Sequence, residues 1–135
     1  MAFDGILLSC VINELKQKIL NGRIEKIYQP EKDEIHLLIR CQGISHRLLI
    51  SASANNSRIH LSKINKNNPL SAPMFCMLLR KHLLGGRIID IQQPNFERIA
   101  VINIESKGEL GDLIVKRLIV EAMGRHSNII LADDK

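Results

Sequence analysis

The chain says the same thing twice. Gly22-Arg23-Ile24, Ile27 and Gln29-Pro30 return as Gly86-Arg87-Ile88, Ile91 and Gln93-Pro94, each 64 positions on (86 − 22, 94 − 30). Leu15 matches Leu79 at the same spacing. Later the spacing widens: Leu48-Leu49-Ile50 and Ser57, Ile59, Leu61 match Leu118-Ile119-Val120 and Ser127, Ile129, Leu131 at 70. The difference places about six extra residues in one turn of the second half, where insertions are tolerated. Two copies are too few for a solenoid. They predict a duplicated α-β-β-β-β unit, with copies near 4–61 and 71–131, folded about a pseudo-twofold axis within one domain at 1–135. The copies differ most at Phe96-Glu97-Arg98 and at Glu121–His126, and function is sought there.

Each copy opens on a helical pattern. Leu8, Val11/Ile12, Leu15 and Ile19 form one stripe, and Asn21-Gly22 supplies the left-handed stop. Asp4 stands at the N-cap, free to act as a ligand as well. In the second helix Phe75, Leu78/Leu79 and Leu83 form the stripe, with Ser71 near the N-cap, Pro73 in the first turn and Gly85-Gly86 as the stop. Strands are expected at 23–29 (halted by Pro30), 35–40, 46–51 and 58–61, then at 87–92, 98–104, 113–121 and 128–131. Ile24 and Ile27 are three apart, so both face the core only if a bulge intervenes or Ile24 packs at the helix junction. The fold class is α+β: a two-sheet sandwich or flattened barrel capped by two helices.

Composition narrows the function classes. With 45% hydrophobic residues the chain can bury one core, and it has no apolar run of membrane-spanning length. A net charge of +5 and a pI near 9.3 favour an anionic partner. Aromatic content is 3%, too little for a base-stacking platform, so nucleic acid would be met through phosphate, ribose and base edges. Cys10, Cys41 and Cys76 show no zinc or disulfide spacing and read as three buried thiols in a reducing cytosol. No cofactor, metal site or catalytic set is expected. His36, His46, His60, His82 and His126 are scattered and read as surface or half-buried residues.

Glu97-Arg98 follows a Gln-Pro and a short turn at the mouth of a strand, which sets Arg98 to emerge at the end of a sheet; a solvated charge pair is the plainer alternative. Arg125 lies in a turn able to present it to an anion. Asp4 at the first helix, Gln93-Pro94 before Glu97-Arg98, and Glu-Ala-Met-Gly-Arg-His-Ser-Asn at 121–128 resemble the N-terminal domain of the NFACT family, which includes bacterial RqcH, eukaryotic NEMF and proteins first called fibronectin-binding.

That resemblance covers essentially the whole chain and implies an N-terminal piece of a longer cytoplasmic protein. It implies work in ribosome-associated quality control: binding of large ribosomal subunits that hold an obstructed peptidyl-tRNA, engagement of a tRNA (alanine tRNA in bacteria), and untemplated C-terminal alanine tailing. The essential acidic residue falls on Asp4 and the Asp-Arg pair on Glu97 and Arg98, with Glu in place of the usual Asp. Arg125, His126 and Glu121 are further candidate RNA contacts. The implied shape is similar to the N-terminal domain of formamidopyrimidine-DNA glycosylases, which attack with an N-terminal proline amine. Ala2 and Phe3 follow Met1 here, so that chemistry is absent. The alternative is an adhesin domain that binds fibronectin.

Overall fold

A computed structural model of the 135-residue chain describes residues 5–53, 57–63, 73–94, 98–108, 110–122 and 127–133. The elements run α1 (Gly5–Ile19), β1 (Arg23–Glu31), β2 (Glu34–Cys41), β3 (Ile44–Ser51), β4 (Arg58–Ser62), α2 (Met74–Leu83), β5 (Arg87–Gln92), β6 (Ile99–Lys107), β7 (Leu113–Glu121) and β8 (Asn128–Asp133). Helix α1 buries Leu8, Ile12, Leu15 and Ile19, the stripe its spacing predicts. It ends where Asn21 turns left-handed, with φ 70. Helix α2 buries Cys76, Leu79 and Leu83. Pro73 occupies its cap position rather than its first turn, extended at φ −60 and ψ 158, and Ser71 lies outside the described residues.

The strands form one hydrogen-bonded antiparallel sheet ordered β4-β3-β2-β1-β5-β6-β7-β8. The expected α+β class with two helices holds, and where a two-sheet sandwich or flattened barrel was expected the strands form one continuous ladder with β4 and β8 at its ends. The halves meet along β1 and β5, where Arg23 pairs with Arg87. Four backbone bonds close that seam in matching pairs. Ile24 N–H donates to Gly86 O and Ile88 N–H to Gly22 O, both at 2.9 Å. Asn21 N–H donates to Ile88 O at 2.7 Å and Gly85 N–H to Ile24 O at 2.8 Å. Shifting each bond by 64 residues turns it into its partner. The two glycines make the approach possible. A Cβ on Gly22 would stand 2.7 Å from Ile39 Cγ2, and one on Gly86 would stand 2.7 Å from Ile104 Cγ2.

The parity problem in β1 is solved by a bulge between Ile24 and Lys26, repeated in β5 between Ile88 and Asp90. Ile24, Ile27, Ile88 and Ile91 are therefore all buried. Strand β1 runs past Pro30 to Glu31, because a second register shift between Tyr28 and Glu31 absorbs the missing amide. Register also locates the extra residues. Ile27 pairs with Leu37 and Ile91 with Ile102, so β6 follows β2 at 65 (102 − 37). Leu37 pairs with Leu48 and Ile102 with Leu118, so β7 follows β3 at 70 (118 − 48). One residue is thus added between β5 and β6 and five between β6 and β7, rather than six in one turn.

One apolar core joins the halves. Helix α1 packs on β2 and β4 of its own half and on β5 and β6 of the other, while α2 packs chiefly on β1. Arg80 of α2 fixes that second contact: its Nε donates to Ile27 O at 2.9 Å. Among the cysteines only Cys76 is buried; Cys41 is half-buried and Cys10 exposed, which corrects the expectation of three buried thiols.

His36 departs from the expectation of a surface or half-buried histidine: it is fully buried. Its Nε2 lies 2.7 Å from Glu34 Oε2, and its Nδ1 lies 2.9 Å from Arg47 Nη1. A guanidinium only donates, so Nδ1 accepts and Nε2–H donates to Glu34, which makes this imidazole neutral.

Candidate functional site

The candidate residues come from three separate stretches, and the backbone brings the described parts of all three to one end of the sheet. Gln93, just past β5, donates from Nε2 to the carbonyl of Gly5 at 2.8 Å. That bond ties the Gln93-Pro94 segment to the first residue of α1, the chain neighbour of Asp4. Arg98 stands just before β6, exposed, and its carbonyl accepts from Ala122 N–H at 2.8 Å. Glu121, at the end of β7, is half-buried and pairs with Ile99 on one side and Asn128 on the other. Asp4, Glu97, Arg125 and His126 lie outside the described residues.

The local sequence explains this convergence. A meander of antiparallel strands returns alternate strand ends to the same edge, so the exit of β5, the entry of β6, the exit of β7 and the entry of β8 share one rim. Arg98 lies off the regular ladder, and the buried Ala100, Ile102 and Ile104 continue its parity inward. Arg98 itself is exposed, which suits both an emerging ligand and a solvated charge. Among the described residues this rim sets the exposed Arg98 near the half-buried Glu121, one guanidinium donor and one carboxylate acceptor.

Two features escaped the sequence reading. The repeated glutamines do different work. Gln93 holds α1, whereas Gln29 is 6% exposed, donates from Nε2 to Lys32 O at 2.8 Å, and has an amide oxygen with no hydrogen-bond partner. It lines a cavity of about 460 Å³ beside Phe75 and Asn128. Comparing the two Gln-Pro contexts is the signal that would have found it. The second is a cleft of about 480 Å³ at the seam, lined by Arg23 and Arg87 from the repeated motif. Among the described residues no group of three or more His, Cys, Asp or Glu is placed to hold a metal. No helix described is long and apolar enough to cross a membrane.

A single antiparallel sheet built from two copies of one unit, with a helix opening each copy, is the fold to be placed among known proteins. The family model described as NFACT N-terminal and middle domains matches residues 4–135, and the chain belongs to that family. Among its relatives, Rqc2 homolog RqcH of Bacillus subtilis (strain 168) is 48% identical over 133 residues, which is 98% of this chain and 23% of that protein. The human ribosome quality control complex subunit NEMF is 26% identical over 131 residues, 97% of this chain and 11% of its own length. The crystal structure of the N-terminal domain of fibronectin-binding protein PavA from Streptococcus pneumoniae superposes with a TM-score of 0.96 at 44% identity, over 99% of this chain and 51% of that one. The chain thus spans about a quarter of the length of the bacterial relative and half of the solved chain.

Proposed function

We propose that this chain is the tRNA-engaging N-terminal module of a cytoplasmic ribosome-associated quality control factor. The factor binds large ribosomal subunits that carry an obstructed peptidyl-tRNA and promotes untemplated C-terminal alanine tailing, with alanine tRNA as the expected species. The observation that carries this reading is the Gln93–Gly5 bond, which draws the start of α1 to the segment leading into Glu97-Arg98.

In this reading Asp4 and Glu97 accept hydrogen bonds from base amino groups or ribose hydroxyls, while Arg98 and Arg125 contact phosphate or a base edge. Glu121 and His126 complete the surface. Carboxylates among cations weaken attraction to a polyanion, so the rim selects rather than grips. The module is non-catalytic: it positions RNA.

The test is Arg98→Ala in the full-length protein. Alanine tails on stalled chains disappear, while the melting temperature stays within the range of a surface substitution, about ±0.5 kcal/mol in stability. Unaltered tails overturn the reading. The fibronectin-binding name of the PavA protein favours a second one, an adhesin domain. Equal affinity of the chain for fibronectin and tRNA at physiological salt would support it.

A further inference from the structure

The repeated Gly-Arg-Ile motif has a consequence beyond folding. At the seam Arg23 and Arg87 are Cα partners on adjacent antiparallel strands. Like charges placed directly opposite destabilise a sheet, so the duplication retains an arrangement that costs stability. The same cleft, about 480 Å³ in volume, is lined by Lys81 and His82 from the last turn of α2 and by Lys107 from the end of β6. Among the described residues Glu105 is its single carboxylate, 3.4 Å from Arg87 Nη2. Among the described lining residues, four permanent cations stand against one anion, a net +3 (4 − 1).

Cations at a helix C-terminus offset the dipole, and that accounts for Lys81 and His82. It does not account for the two strand arginines, nor for Ser106. Ser106 lines the cleft and is 9% exposed, yet its hydroxyl has no hydrogen-bond partner. A buried hydroxyl without a partner costs free energy that an incoming acceptor would recover. Arg23 spends one donor on Gly85 O at 3.0 Å and keeps the rest of its fork.

We propose that this cleft is a phosphate-binding site that takes the phosphodiester backbone of RNA, with Arg23 and Arg87 as the paired guanidiniums, Lys81 and Lys107 as flanking charges, and the Ser106 hydroxyl as a donor. The proposal rests on the RNA-binding reading above. Phosphate is the matching anion because guanidinium forks bind it in a bidentate manner and hydroxyls donate to its remaining oxygens. The cleft lies at the opposite end of β5 from Gln93. Five strand steps from Arg87 to Gln92 cover about 17 Å. That distance is within the reach of a few nucleotides of one strand. One RNA strand thus reaches from the seam, where it is gripped, to the rim, where it is read.

The experiment measures binding of unfractionated tRNA by the 135-residue chain across a salt series. The variant Arg23→Gln with Arg87→Gln binds more weakly, and its slope of log affinity against log salt falls by about 1.5, for two phosphate contacts at 0.7–0.9 each. Glu105→Gln tightens binding. If the double variant does not fold, Lys81→Gln with Lys107→Gln, both exposed, carries the same expectation. Unchanged affinity and slope overturn the cleft alone when Arg98→Ala still weakens binding. Failure of the wild-type chain to bind tRNA at any salt overturns both readings. A third arm titrates inorganic pyrophosphate: a shift of the Ser106 amide resonance alongside unaffected tRNA binding by the double variant assigns the cleft to small free phosphates and overturns the RNA assignment.

Discussion

Cys76 shows how far burial alone sets the chemistry of one side chain. Removal from water pushes its thiol above the usual 9.0, against the opposing pull of the Arg80 charge and a hydrogen bond from the Gln29 backbone. The raised value means that the folded chain holds this proton after the unfolded chain has released it. Its contribution to stability is whole below pH 9.0 and is lost as pH rises through and beyond that value. In a denaturant series between pH 8 and 10.5, the midpoint falls more steeply for the wild type than for Cys76→Ala once the constant cost of the cavity is subtracted. A thiol reagent at neutral pH modifies Cys10 in the native chain and reaches Cys76 only when urea opens the core. Equal rates at the two would show that α2 does not seal its inner face. Residue type alone did not separate these thiols. Helical phase does, because Cys76 lies on the stripe of Leu79 and Leu83, whereas Cys10 faces out between Leu8 and Ile12.

Elements were legible wherever period and punctuation agreed. The α1 stripe and its Asn-Gly stop are read straight from the chain, and Asn21 does turn left-handed at φ 70. What periodicity could not supply is the environment of a second face. In β2, Ile35, Leu37 and Ile39 point inward as alternation requires, yet Glu34 and His36 on the other face are buried too. Alternation reports one face against the other and is silent when both are covered. The α2 cap was likewise misplaced, because proline suits either the first turn or the residue before it. The equivalent helix positions Leu15 and Leu79 are both fully buried. Substituting either by Ala removes about 2–5 kcal/mol by the usual cost of a leucine-to-alanine cavity, read from urea midpoints. A loss confined to Leu15→Ala would mean that α2 is peripheral to the core.

At the scale of the whole molecule, the single sheet depends on a seam of four backbone bonds and two glycines that let the chains approach. The duplication was visible in the letters. That its halves continue one sheet was not, because the pairing of residues 64 apart is made by backbone groups common to every residue. Arg98 announces itself through its motif, while the seam cleft arises only when Arg23 and Arg87 are placed side by side. Gly86→Ala forces the Ile104 side chain to move from a contact at 2.7 Å. Overpacking of this kind costs about 1–3 kcal/mol. Gly22→Ala, meeting Ile39 at the same distance, costs a similar amount. A mutant of either glycine that unfolds at the wild-type midpoint would show that the approach is not what the glycines serve.

The seam has one more implication. Each of the four backbone hydrogen bonds crossing it is returned by its twin, so the backbone contact is self-complementary in the manner of an isologous interface between identical subunits. A chain of half this length would carry both sides of that contact on one surface and would be expected to pair with another like itself. Joining the two in a single polypeptide frees one copy to keep the shared architecture while the other alters its outer turns.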